Sequence, residues 1–361
     1  VDIARLVRPN INSLPAYQAK EIPCRVKLDA NESPYGLLPE VLAILGSRKG
    51  RNLFSRVNRY PDPEAGSLKK VISGNLKVRP GNLLQGNGSD ELIYYLIITF
   101  GGPVLFPTPT FSMYGIIAQA IGEEKIGVPL DEEFDLDMKS MLREIRQKKP
   151  KLIFLSTPNN PTGNCFSSDR ILKIIDSGGS SHSVVVIDEA YQPFASEKGF
   201  IPLLKDYENL LIMRTLSKIG LAGLRAGFLI GDQKIINEVN KVRLPFNLNS
   251  LSQAIAEEVM RRRGDVLKQN TKSVISERGR LFRELSEIRG VKPYPSEANF
   301  ILFRTADPGV IYEGLLNKGV LVRNMKGVVD GCLRVTVGTP EENRIFISAL
   351  KRVVGDRKRK K

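Results

Sequence analysis

The chain has 361 residues, 42% of them hydrophobic and 26% charged, with 31 Gly and 22 Pro spread without low-complexity bias. That composition excludes a disordered chain, and a length of this order predicts two domains, because single cores stop growing near this size. The formal charge of +15 favours small anionic ligands; with no tryptophan and no nucleic-acid-binding module, the basic end KRVVGDRKRKK reads as a solvated tail.

The start, VDIARLVRPN, carries no signal-peptide core, and no apolar run approaches the roughly 20 residues of a membrane helix, so a cytoplasmic location is expected. The first thirty or so residues are too short to fold alone and are expected to cover the smaller C-terminal domain or a partner. From Leu83 to Ile230 short apolar runs alternate with amphipathic stretches. PVLFPT precedes FSMYGIIAQAIG, KLIFLST precedes DRILKIIDSG, and SVVVIDEAY, NLLIMRTLS and AGFLIG follow, the last leading into DQKIINEVNKVR. Strands with both faces apolar, separated by helices, predict a three-layer α/β/α domain around a mainly parallel sheet. Ser250 to Ile288 has apolar positions at helical spacing and predicts one long or two stacked helices leading away from that sheet. ANFILFRT, a helix from Pro308 to Lys318, VLVRNM, CLRVTVGT and a helix from Pro340 then predict a smaller α+β domain. The expected division is 33–249 for the large domain, with 1–32 and 250–361 forming the small one.

Three stretches carry chemistry. In LLQGNGSDELIYYLIITF, small residues open an apolar helix, so backbone amides around Gly88, Ser89 and Asp90 are free to surround an anion. An ordinary glycine turn with Ser89 or Asp90 as N-cap fits as well. The third glycine of a dinucleotide fingerprint is missing. VVVIDEA looks like a Walker-B strand, but the chain contains no Gly-Lys dipeptide, so a P-loop is excluded. Asp188, at the carboxyl end of that buried strand, needs a cation, whether a neighbouring Arg or Lys or a ligand. In RTLSKIGLAGLRAGFLIG, desolvation between apolar elements would lower the pKa of Lys218 and leave an amine able to attack a carbonyl; a snorkelling surface lysine is the plainer alternative. Ser217 and Arg225 could hold a phosphate beside it. With the Gly88 cup, and with Asp188 against a protonated ring nitrogen, these are the parts needed to bind pyridoxal phosphate.

Other chemistries find less support. Cys24, Cys165 and Cys332 are odd in number and far apart, which fits no disulfide framework and predicts buried thiols. His182, the single histidine, lies in polar SGGSSHSV, at no zinc spacing from any cysteine and beside no G-x-S-x-G elbow. No metal site is expected, and a lysine is the candidate general base.

LDANESPYG at 28–36, RYPDPEAGSLKK at 59–70, QGNGSDELI at 85–93, PTPTFSMY at 107–114, TPNNPTG at 157–163, VVIDEAY at 185–191, TLSKIGLAGLRAGF at 215–228 and LRVTVGTPEEN at 333–343 together resemble the fold-type I pyridoxal-phosphate aminotransferases. Among them the chain most resembles the histidinol-phosphate aminotransferases. The resemblance implies that Lys218 holds the cofactor covalently and, once displaced by substrate, moves the proton between substrate Cα and cofactor C4′. Asp188 would pair with the pyridinium nitrogen, Tyr191 and Asn160 would hydrogen-bond the ring oxygen, and Phe111 would stack on the ring. Gly88, Ser89, Asp90, Ser217 and Arg225 would bind the cofactor phosphate, with Tyr60 reaching it from the neighbouring subunit of a homodimer. Tyr17, Asn160, Arg323 and Arg334 would contact substrate, a guanidinium suiting both a carboxylate and a phosphate. Phe111 stands where the family commonly has tyrosine, Ser33 where it has asparagine, and SKIGLAGLR is one residue shorter than a common form; none of these removes a catalytic group.

The implied reaction is reversible exchange of an amino group between L-histidinol phosphate and 2-oxoglutarate in histidine biosynthesis, giving imidazole-acetol phosphate and L-glutamate. An aromatic aminotransferase or a threonine-phosphate decarboxylase of the same fold is the alternative. A non-enzymatic regulator of this fold would carry a helix-turn-helix domain ahead of the motifs, where barely thirty residues stand.

Overall fold

The alternation of apolar and amphipathic stretches folds as two sheets wrapped by helices in the computed structural model, which describes residues 3–16, 22–48, 50, 55, 57–262 and 264–359. Helix α1 (Pro9–Asn12), strand β1 (Val26–Leu28), α2 (Leu38–Gly46) and α3 (Gly66–Leu76) come first. Then follow β2 (Leu83–Asn87), α4 (Ser89–Phe100), β3 (Val104–Thr108), α5 (Met113–Ile121), β4 (Lys125–Pro129), α6 (Met138–Lys148), β5 (Leu152–Ser156) and α7 (Ser168–Ser180). Strands β6 (Val184–Asp188), β7 (Leu210–Thr215) and β8 (Ala226–Gly231) lead to α8 (Gln233–Asn240), α9 (Ser250–Arg262) and α10 (Gly264–Ser286). The chain ends with β9 (Val291–Pro293), β10 (Phe300–Thr305), α11 (Pro308–Leu316), β11 (Val320–Asn324), β12 (Cys332–Thr336) and α12 (Pro340–Arg359).

The larger sheet has the order β2-β8-β7-β6-β5-β3-β4. It is parallel from β7 through β4, and β8 runs antiparallel to both neighbours. Its strands are buried on both faces because alternate side chains meet different helices. In β5, Ile153 and Leu155 pack toward α3, α6, α7 and α9, while Leu152 and Phe154 pack toward α4, α5 and α8. This is the three-layer, mainly parallel arrangement that the apolar runs predict. Asp137, Asp232 and Asp307 start α6, α8 and α11 by accepting an amide hydrogen of the first turn.

The smaller sheet has the order β1-β11-β12-β10-β9, with β1 parallel to β11 and the other pairs antiparallel. Helices α10, α11 and α12 cover it, and Tyr191 and Phe194 from the larger unit join the same core. The two cores therefore meet at the loop after β6. Strand β1 pairs with β11 and so joins the N-terminal segment to the smaller sheet. Helix α9 does not follow the expected division at 250: Ile255, Ala256 and Val259 pack into the core of the larger sheet. An amphipathic helix follows whichever apolar surface is nearest, so the change of packing partner comes along α10. The expected buried thiols are one in number: Cys332 is buried, whereas Cys24 and Cys165 are half-buried.

Candidate active site

The carboxyl ends of β3, β5, β6 and β7 share one edge of the larger sheet, where ligands of parallel α/β sheets bind. Two reversals of pairing bring more groups there. Because β8 runs backwards, Arg225 at its amino end joins this edge, and because β2 runs parallel to β7, α4 begins there too. A cavity of about 100 Å³ results, and Ser89, Asp90, Phe111, Asn160, Asp188, Tyr191, Ser217, Lys218 and Arg225 all line it. These residues come from five segments of the chain, and all of them were singled out in the sequence.

One end of the cavity suits an anion. Helix α4 starts after Gly88 with no side chain capping its first amides. The Arg225 guanidinium stands beside it, donating to Ser217 Oγ at 3.3 Å and pairing with Asp90 at 3.3 Å. Gly88 has φ +86°, and a Cβ there would run into that guanidinium.

The opposite wall is acidic. Asp188 is buried; its Oδ1 accepts from the Ala190 amide at 3.0 Å and its Oδ2 from the Tyr114 hydroxyl at 2.7 Å. Among the described residues no Arg or Lys pairs with it, which answers the question left open by the sequence. Burial is the main cause that pushes its pKa up to about 6, against the hydrogen bonds and the Lys218 charge, which lower it. Lys218 is half-buried in the single turn Ser217–Ile219 after β7, its Nζ 5.6 Å from the centre of the Tyr191 ring.

Tyr191 accepts a hydrogen bond from Asn31 Nδ2 at 2.9 Å. Asn31 in turn donates its amide to Thr336 Oγ1 and accepts from Asn299 Nδ2, both at 2.9 Å, so one residue of the N-terminal segment joins the cavity to β12 and β10. Arg334, two residues before Thr336, is buried with its guanidinium 5.1 Å over Phe300, donating to Asn160 Oδ1 and to the Asp29 carbonyl. Its Nε is buried with no hydrogen-bond partner among the described residues. Burial pulls its pKa down to about 10, the nearby Arg323 adding to the effect. Arg323 lies opposite Arg334 in the β11–β12 register, but is exposed. The two expected substrate arginines are thus neighbours of very different burial.

Tyr60 is 80% exposed, stacked on Phe246 with ring centres 4.5 Å apart, and does not line the cavity of its own chain. Tyr17 lies outside the described residues. Outside the expected set of site residues stand Tyr114, which bonds Asp188, Asn31, which bonds Tyr191, and Ser156 and Thr215, which line the cavity. Tyr114 and Asn31 sit inside the quoted stretches PTPTFSMY and LDANESPYG, and a phenol on an apolar helix face, which must find a partner once buried, was the available signal.

The chain matches the model of the family described as aminotransferase class I and II over residues 25–350. It is 44% identical over 358 residues to histidinol-phosphate aminotransferase 2 of Nitrosococcus oceani, covering 97% of each chain. It is 43% identical over 354 residues to the histidinol-phosphate aminotransferase of Aquifex aeolicus, covering 96% of this chain and 97% of the other. Among solved structures it resembles the histidinol-phosphate aminotransferase of Sinorhizobium meliloti in complex with pyridoxal-5'-phosphate, with a TM-score of 0.85 at 24% identity over 97% of this chain and 98% of that one.

Proposed function

The chain belongs to the class I and II aminotransferase family, and on that premise we propose that it is a pyridoxal-phosphate-dependent enzyme exchanging the amino group of L-histidinol phosphate with 2-oxoglutarate, in histidine biosynthesis. The observation that carries the reading is the buried Asp188 carboxylate facing the same cavity as the Lys218 amine, with a phenol and an amide but, among the described residues, no cationic side chain bonded to it.

The residues present fit the cofactor. A carboxylate buried without a cation is costly, and a protonated ring nitrogen would supply the missing charge. The uncapped amides of α4, with Ser217 and Arg225, would take the phosphate, and Phe111 would cover the ring face. When bound, pyridoxal phosphate supplies an electron sink for the bond broken at the donor's Cα. Lys218 would hold the cofactor and then carry the proton at that Cα. Tyr191, its oxygen already accepting from Asn31, keeps its own hydrogen to donate into the cavity. Arg334, with an unpartnered Nε and a fork of donors, would orient the substrate's anionic group, and its burial strengthens that contact by excluding water. Arg323, exposed beside it, would add a second positive charge.

Gly88→Ala is expected to weaken cofactor binding about tenfold, since the new methyl group strains a positive φ and displaces Arg225. Titration of the apoenzyme with pyridoxal phosphate measures this.

The working unit is a homodimer in which Tyr60 reaches the neighbouring cavity. Its exposed ring, stacked on Phe246 beside exposed Leu244, supports a surface meant to be covered. Three free cysteines suit a reducing cytoplasm, and no described helix is long and apolar enough to cross a membrane. The domain boundaries lie at the loops flanking β1 and within α10. The decisive experiment presents the purified enzyme with 2-oxoglutarate and a panel of amino donors. L-histidinol phosphate should exceed phenylalanine and tyrosine in kcat/KM by at least about tenfold, with no release of carbon dioxide. A preference for aromatic donors, or decarboxylation of O-phosphothreonine, would overturn the substrate assignment.

A further inference from the structure

Asp188 is held from two directions. The Ala190 amide donates to Oδ1 at 3.0 Å from the turn after β6, and the Tyr114 hydroxyl donates to Oδ2 at 2.7 Å from helix α5. Two donors on separate elements fix the plane of the carboxyl group, which one donor would leave free to swing.

Tyr114 is itself rigid. It is fully buried, its ring lies flat on Phe154 of β5 at 4.7 Å with 9° between the planes, and it meets Phe111 edge-on at 5.6 Å. Packing therefore sets where its hydroxyl points. Phenylalanine would fill the same stack without needing a polar partner, so the hydroxyl is not required by packing. Helix α5 and the turn before it thus supply two aromatic groups, Phe111 on the cavity wall and Tyr114 behind the carboxylate. Burial first, then the neighbouring Asp188 charge, push the Tyr114 phenol well above its usual pKa, so it stays a donor across the working pH range.

The geometry points to Tyr114 as a positioning residue whose hydroxyl keeps Asp188 ionised and aimed into the cavity, so that a carboxylate rather than a carboxylic acid meets the ring nitrogen of the cofactor. The inference rests on the reading of this cavity as a pyridoxal-phosphate site. Tyr114 is not among the residues lining the cavity, and its proton stays on the phenol. Hydrogen bonds to a charged acceptor are the strong class, and removing one donor from a buried carboxylate favours the neutral acid.

The test compares wild type, Tyr114→Phe, Asp188→Asn and the double variant as apoenzymes, each titrated with pyridoxal phosphate and with the 1-deaza analogue, in which C–H replaces the ring nitrogen. The ratio of the two dissociation constants reports the ring-nitrogen contact alone. Wild type should prefer pyridoxal phosphate. Tyr114→Phe should lose about tenfold or more of that preference while its affinity for the analogue changes little, and should shift the pH dependence of the bound cofactor's absorbance. In the Asp188→Asn background the same substitution should leave the ratio unchanged, because the group it acts through is gone. Equal weakening of both ligands, or an unchanged preference, would overturn the assignment of Tyr114 while leaving the cofactor site standing. A wild type that does not distinguish the two ligands would overturn the site reading and this inference with it.

Discussion

Lys218→Ala is expected to slow amino-group transfer at least about 10⁴-fold, the upper range for removing a positioned proton carrier, with the loss of covalent attachment added. Lys218 is the one primary amine among the described residues lining the cavity. It sits in a turn between β7 and β8, two strands whose neighbours carry Asp188 and the start of α4. Its charge also helps to keep Asp188 ionised, so an alanine variant alone does not separate proton transfer from electrostatics. Lys218→Arg does. A guanidinium keeps the positive charge but does not give up a proton at working pH. If Lys218 acts as the base, both variants are equally inactive; substantial turnover by the arginine variant would reduce it to a counter-ion. Borohydride treatment of the loaded wild type, followed by peptide mapping, should place the cofactor on Lys218, and label on any other lysine would move the site elsewhere.

Much of the fold is legible because a strand buried on both faces leaves a run of apolar residues that little else produces. LIFLS, with all five residues buried, is such a run. Strand direction is not legible by the same means. AGFLIG is buried throughout like its parallel neighbours, yet β8 runs the other way, and that reversal carries Arg225 to the edge where Ser217 and Asp90 meet it. Site residues that lie in short polar motifs could be named from the sequence, because Lys, Asp and Gly are conspicuous beside apolar strands. Partners distant in the chain could not. Arg334 bonds Asn160 across 174 positions and Asn31 reaches Tyr191 across 160, and nothing local announces either pairing. Tyr114 was hidden differently: on an apolar helix it reads as one more core aromatic, and its hydroxyl, though it needs a partner once buried, does not announce Asp188 as that partner at 2.7 Å. The placement of α9 was illegible for a related reason, since an amphipathic stripe shows that a helix is packed without showing against which core.

Asp188→Asn should lower turnover about a thousandfold, the scale of removing a preorganised charge from where it is needed, and should also change how the apoprotein responds to pH. Without cofactor, the groups facing the Asp188 carboxylate are the Tyr114 hydroxyl, the Ala190 amide, Lys218 and the more distant Asp90. Burial outweighs them and holds its pKa at about 6 in the fold, above the ordinary 3.8. The unfolded chain therefore ionises first as pH rises. The contribution of Asp188 to stability is fully present below about pH 4 and is lost as pH passes about 6. At ~1.4 kcal/mol per pH unit, that loss amounts to about 3 kcal/mol. Asparagine cannot ionise, so the stability of apo wild type relative to apo Asp188→Asn should fall by about that amount between pH 4 and 7, read from denaturant midpoints at each pH. A ring cation beside Asp188, as proposed, would favour the ionised form and reverse the sign of the interaction. Saturating cofactor should then remove most of the pH dependence in wild type and leave the asparagine variant unchanged. Parallel stability curves for the two apoproteins would show that Asp188 is not the carboxyl group held neutral by burial, and a cofactor effect identical in both would separate it from the ring nitrogen altogether.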